Sequence, residues 1–134
     1  MSLEAATFSI LAASASVDAI AGDRISPHQR LQSTALPAVT YRVEQIEPVR
    51  DLAGTAGLYR GNLTVSAIAE TYAAAKNLGN AIRSAVSAAT GSHGGINVKA
   101  ARHSLEVSVE AGIGEGEEDL PYQIDHQFIV HYTE

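Results

Sequence analysis

Five histidines (His28, His93, His103, His126 and His131) are the side chains of this sequence best suited to proton transfer or metal ligation. Their spacing favours neither. No HxxxH or HExxH pair sets two imidazoles on one helical face. His126 and His131 stand at opposite parity in one stretch, so a strand would point them to opposite sides. His126 falls among apolar residues, where a hydrogen-bonded core or interface role is commoner than a ligand's. Glu115, Glu117, Glu118 and Asp119 could hold a hard cation such as Ca²⁺, but the D-x-[DN]-x-[DN]-G pattern is absent and an acidic hairpin tip is the ordinary explanation. The glycines of Gly112-Ile-Gly114-Glu-Gly116 suggest a phosphate loop. Acids, Pro121 and a strand follow them, where an anion site needs a helix N-terminus. No G-x-S-x-G elbow occurs, and Gly91-Ser-His-Gly has no strand before its serine. Without cysteine there is no thiol nucleophile, disulfide or thiolate metal site. No catalytic set, metal or cofactor is expected.

The elements that would position these groups read clearly in places. Ser2 caps a first helix carrying Leu3, Phe8, Ile10 and Leu11, and Ser14 or Ser16 restarts a short turn through Val17 and Ile20, ended by Gly22. Arg24–Ile25–Ser26 is a brief strand halted by Pro27, and His28–Thr34 a polar loop. Leu36–Pro37 opens a strand with Val39, Tyr41 and Val43 on one face and Thr40, Arg42 and Glu44 on the other. Ile46 breaks that parity, which predicts a bulge or strand end near Gln45. Residues 47–57 are expected to form a loop, long for a hairpin and so a candidate for function.

The stretch from Leu58 to Ala89 is the strongest signal. Leu63, Val65, Ala67 and Ala69 alternate with Asn62, Thr64, Ser66 and Ile68, the period of a strand with one buried face. A helix follows, with Tyr72, Ala75, Leu78, Gly79, Ile82, Ala85, Val86 and Ala89 on one side. Gly79 costs about 1 kcal/mol relative to Ala in a helix interior, which points to close packing beneath it. Thr90–Gly95 is a flexible connection with a glycine cap at Gly91. Leu105, Val107, Val109 and Ala111 alternate again. After the acidic turn at 112–121, Tyr122, Ile124, His126, Phe128, Val130 and Tyr132 share a face, so the two segments form an antiparallel hairpin. The order α-β-β-β-α-β-β predicts one α+β domain over 1–134, an antiparallel sheet with helices packed on one face.

Composition fits a single globular domain that buries about two thirds of the surface its unfolded chain exposes. Apolar residues make up 46% but aromatics only 5%, with no Trp. The core must rest on Val, Ile, Leu and Ala, a thin core of the kind oligomerisation often stabilises. No run of 18 apolar residues exists to span a membrane, and Glu4 without a cationic n-region argues against a secretory signal; folding in the cytoplasm is expected. The net charge of −6 is uneven: eight acids and no Lys or Arg lie between His103 and Glu134, while residues 1–102 carry nine bases and seven acids. The −8 segment disfavours tight nucleic-acid binding, and solvated strand faces with a hairpin tip are its ordinary reading.

The back of the second long helix carries Ala73, Ala74, Asn77, Ala81, Ser84 and Ala88, with fewer Lys and Glu than an exposed face usually holds. Helix propensity alone explains alanines there; close approach by a neighbouring subunit explains them equally well.

The segments SLEAA, AIAGDRISP, ALPAVTYRV and DLAGTAGLYRGNLTVSAIAETYAAAKNLGNAIRSAV, in that order over residues 3–90, resemble the tail-completion or tail-terminator proteins of long-tailed bacteriophages and gene transfer agents. The closing hairpin ending DHQFIVHY agrees more loosely. The resemblance implies a virion structural protein made in the bacterial host cytoplasm. It implies a homomeric ring, typically a hexamer, that caps the head-proximal end of the tail tube and stops its polymerisation. The implied partners are copies of itself, the tail tube protein and a head connector or neck protein, with DNA passing through the lumen without specific binding. It carries no catalytic residues over, and the Gly91–Gly95 connection and the 112–119 tip depart from the pattern.

A ring needs two different patches that meet between neighbours. The expected contacts are Ala74, Asn77, Ala81 and Ser84 on the helix, Arg50, Asp51 and Leu52 in the 47–57 loop, and Glu115, Glu117, Glu118 and Asp119 in the tip. Two alternatives stand beside this reading: a head-completion or neck adaptor, and, in another class, a monomeric α+β ligand-binding or enzymatic domain.

Overall fold

A computed structural model describes residues 2–22, 24–27, 37–51, 54–110 and 122–133. The described residues form three helices and six strands: α1 (Leu3–Ala13), α2 (Ala15–Ala21), β1 (Ile25–Pro27), β2 (Ala38–Asp51), β3 (Gly54–Ala69), α3 (Tyr72–Ser87), β4 (Gly91–His93), β5 (Ile96–Glu110) and β6 (Tyr122–Thr133). They make one sheet in the order β1-β2-β3-β6-β5-β4, with the helices against one face, an α+β architecture. β1 runs parallel to β2 and every other pair is antiparallel.

Local chemistry sets the helix ends. Ser2, Ser14 and Thr71 are N-caps whose hydroxyls accept from the backbone N–H groups of Ala5, Val17 and Ala74, at 3.1, 3.4 and 3.1 Å. Gly22 closes α2 at φ 59°. Arg24 then ties α2 to the sheet: its Nε donates to the Pro37 carbonyl at 2.8 Å and a terminal nitrogen to the Ile20 carbonyl at 3.2 Å.

The core lies between helices and sheet. Leu3, Leu11 and Val17 from the first two helices meet Leu78, Ile82 and Val86 from α3 above Val39, Leu63, Val65, Phe128 and Val130. Strand β6 keeps strict alternation, with Ile124, His126, Phe128, Val130 and Tyr132 buried on the helix side as the sequence predicts. α3 buries Ala75, Leu78, Gly79, Ile82 and Val86 as expected, whereas Tyr72 at its first turn is exposed.

Several expectations are corrected. Residues 47–51 and 54–57 are strand instead of loop: β2 and β3 continue as a long hairpin until Asp51 pairs with Gly54. From Arg42 onward β2 has no strand on its outer side among the described residues, so it lacks the burial pattern that marks a strand and tolerates Pro48. Glu44 is skipped in the register, the bulge expected near Gln45. The 90–95 connection is a tight hairpin instead of a flexible link, and α3 ends at Ala88 rather than on Gly91. His93 pairs with Ile96 across Gly94 and Gly95, both at positive φ, the geometry of a type I′ turn. Because α1 crosses this turn, a Cβ on Gly94 would meet the Ala6 backbone N at 2.6 Å.

β5 departs furthest from expectation. It begins at Ile96, and register shifts between Val98 and Ala100 and between His103 and Leu105 reverse its parity twice. Leu105 and Val107 therefore lie on the helix-free face and are exposed, while His103 and Glu106 face the helices opposite Phe128 and His126. On β3 both faces are buried: Thr64, Ser66 and Ile68 are covered although no helix lies over them. The expected loop 28–34, the strand opening at Leu36, Ala111 and the tip at 112–121 lie outside the described residues.

Candidate assembly surfaces

Each side of the sheet ends in a short strand that covers only part of its neighbour. β1 pairs with residues 39–41 of β2, and β4 with residues 96–98 of β5. Residues 42–51 and 99–110 are thus left without a sheet partner on their outer sides among the described residues. Unpaired edges present rows of N–H and C=O groups that can bind another strand. Three antiparallel steps separate the two edges, so they run in opposite directions. The β5 edge adds apolar side chains, Leu105 at 48% and Val107 at 36% exposure, on the helix-free face.

Beside the apolar Ile68 and Ile129, that face carries hydrogen-bonded polar groups. Glu44 accepts from the Thr64 hydroxyl at 2.9 Å and from Arg42 Nε at 3.0 Å, bonds that hold its carboxyl below the ordinary carboxylate value. The Ser66 hydroxyl donates to Asp125 at 2.6 Å, and the Gln123 amide donates to the same oxygen at 2.9 Å. These pairs bond the buried Thr64 and Ser66 of β3. Beside Glu44 and Thr64 lies a recess of about 200 Å³ bordered also by Arg60, Asn62, Ser104, Gln127 and Ile129.

On the back of α3, Asn77 and Ser84 are exposed and Ala74 is half-buried, packed toward Ala69, Ala75 and Ile124. Ala81 is corrected. At 9% exposure it belongs to the core cluster, because α1 and α2 pack against the flank of α3 that carries it. Arg50 and Asp51 stand at the end of β2 opposite Thr55 and Gly54, near the tip of the long hairpin. Leu52, Glu115, Glu117, Glu118 and Asp119 lie outside the described residues. Among the described ones, no expected contact from α3 is brought beside one from the hairpin.

One cluster of titratable groups escaped the sequence reading. His126 has no exposed surface; its Nδ1 lies 3.0 Å from His103 Nε2 and its Nε2 lies 3.5 Å from Glu106, which itself takes a 3.0 Å bond from Lys76 Nζ. At 3.5 Å the Glu106 contact is too long for a good hydrogen bond, so Nε2 has no partner at bonding distance. Gly79 explains the fit: a Cβ there would overlap Nε2. Burial holds His126 below its ordinary value, with His103, Lys76 and Arg83 acting the same way and Glu106 opposing them. Burial, then Arg83, lowers His103 as well. The α3 backbone thus seals the imidazole from any substrate. Gly79 within an apolar helical stripe and His126 within an apolar strand stripe were the available signals; Glu106 and His103 were hidden by the bulges.

A single sheet with helices on one face is a fold that also occurs in a virion assembly. A chain from a solved structure titled "Virion of native gene transfer agent (GTA) particle" shares it, with a TM-score of 0.79 at 19% identity, over 98% of this chain and 95% of that chain. No curated protein matches. The family model described as Tail completion protein gp17 matches residues 5–120, and the chain belongs to that family. It is a structural protein of the virion tail, of the kind found in bacteriophages and gene transfer agents.

Proposed function

We propose that this protein forms a homomeric ring, a hexamer, that caps the head-proximal end of the tail tube, ends tube polymerisation and receives the head connector. The unpaired antiparallel edges of the sheet are the observation that carries this reading. If residues 99–110 of one copy pair with residues 42–51 of the next, strand alternation continues without interruption, and one edge always meets the other. Such a heterologous contact closes when the rotation per subunit divides a full turn. The helix-free face then forms one wall of the ring, and the long hairpin ending near Arg50 and Asp51 projects from its rim as a contact for tube or connector. Glu115, Glu117, Glu118 and Asp119 supply negative charge along the DNA path, so that DNA passes without adhering.

Native mass spectrometry of the protein, free and with tail tubes, tests the ring: a closed hexamer supports it, and a monomer under both conditions refutes it. Electron micrographs of particles made without this protein test its position. Over-long tails support termination. Normal free tails beside leaking heads identify a head-completion or neck adaptor instead.

A further inference from the structure

We propose that His103, His126, Glu106 and Lys76 form an acid-released latch that fastens α3 to strands β5 and β6. The four side chains come from all three elements: Lys76 from α3, His103 and Glu106 from β5, and His126 from β6. They make one chain of polar contacts, at 3.0 Å between the imidazoles, 3.5 Å from His126 to Glu106, and 3.0 Å from Glu106 to Lys76.

The protonation states follow from the geometry. His126 Nε2 faces the Glu106 carboxylate and the α-carbon of Gly79, so the favourable tautomer places the proton on Nε2. Nδ1 is then an acceptor, and His103 Nε2–H donates to it. Both rings are neutral in this state. A first added proton enters at the vacant Nδ1 of His103, the Nε2–H of His103 still donates to Nδ1 of His126, and Glu106 offsets the charge. When both rings are charged, each facing nitrogen is a donor and no acceptor remains between them. The bond is lost and two cations meet inside the fold. Among the described residues, Lys76 and Arg83 on α3 oppose a positive ring, as does charged His103 on β5, and Glu106 is the one anion that favours it. Since His126 is fully enclosed and Gly79 leaves no slack, the ring cannot swing out to water without displacing α3. Acid therefore loosens α3 first.

The test is an NMR titration of the full chain from pH 7.5 to 5, reading imidazole nitrogen shifts and the hydrogen exchange of α3 amides. At pH 7.5 His126 should carry its proton on Nε2. The two histidines should titrate together below 6.5, and protection around Gly79 should fall by about tenfold for each unit the pair is held down, while the β2–β3 amides keep theirs. His103→Gln, at a half-buried position, retains a donor to His126 but removes one titrating group. It should preserve α3 protection at pH 7.5 and cut the acid-induced loss to about threefold or less. An Nδ1–H tautomer of His126, titration of His126 at its ordinary value, or an equal loss of protection across all strands would overturn the latch. So would an unchanged acid response in His103→Gln.

Discussion

The α-carbon of Gly79 lies directly against the imidazole of His126, leaving no space for a methyl group between helix α3 and strand β6. This contact joins the most regular helix of the chain to the most regular strand. It puts the least helix-favouring residue of α3 at the one place where its lack of a side chain is needed.

Gly79→Ala should therefore destabilise the fold despite its better helix propensity. The propensity gain is about 1 kcal/mol. Overpacking against a fully buried ring costs about 1–3 kcal/mol and also displaces His126. Urea denaturation should show a net loss of stability, whereas Gly91→Ser, where a Cβ meets nothing, provides a control for backbone strain alone.

Gly94→Ala should be costly for a different reason. Its φ of 54° disfavours any side chain, and the added Cβ would meet backbone atoms of Ala5 and Ala6, which cannot rotate away. A loss of about 2–4 kcal/mol is expected from strain and displaced helix together. Thermal unfolding and exchange of α1 amides would measure it, with α1 loosening before the sheet.

The edge of β5 permits a cleaner test of assembly. Changing Leu105 and Val107 to Lys together should alter monomer stability by about 0.5 kcal/mol or less per site, since both side chains are exposed. The same pair of changes should abolish the ring in native mass spectrometry by placing like charges along the pairing edge. Intact rings in the double variant would show that another surface joins the copies.

Acid should act on the helix-free face through Glu44. Its carboxyl is lowered from 4.5, first by the Thr64 hydroxyl and then by Arg42. A depressed acid contributes stability that is complete above its unfolded value and lost as pH falls through its folded one. Thr64→Val should raise the Glu44 titration toward 4.5 and weaken that dependence. Carboxyl carbon shifts followed by NMR would report the change.

The parts legible in the sequence are those where one residue suffices or one face is dry. Ser2 and Ser14 cap helices because a hydroxyl needs only the N–H three residues ahead. β6 and the inner side of α3 kept their stripes because each packs one face against a single core. Ile46 disclosed the Glu44 bulge by breaking an otherwise clean alternation.

What tertiary structure alone decided lies where that regularity fails. On the outer half of β2, residues 45–48 are exposed, so no burial pattern marked them as strand. Two inserted residues in β5 turned Leu105 and Val107 outward and His103 and Glu106 inward. Parity counts from one end cannot anticipate this, because a bulge is stabilised by the strand beside it rather than by its own residues. The sequence by itself determined the caps, the core stripes and the class of fold. Which side chains meet across β5, β6 and α3, and which edges stay open to a partner, depended on long-range register.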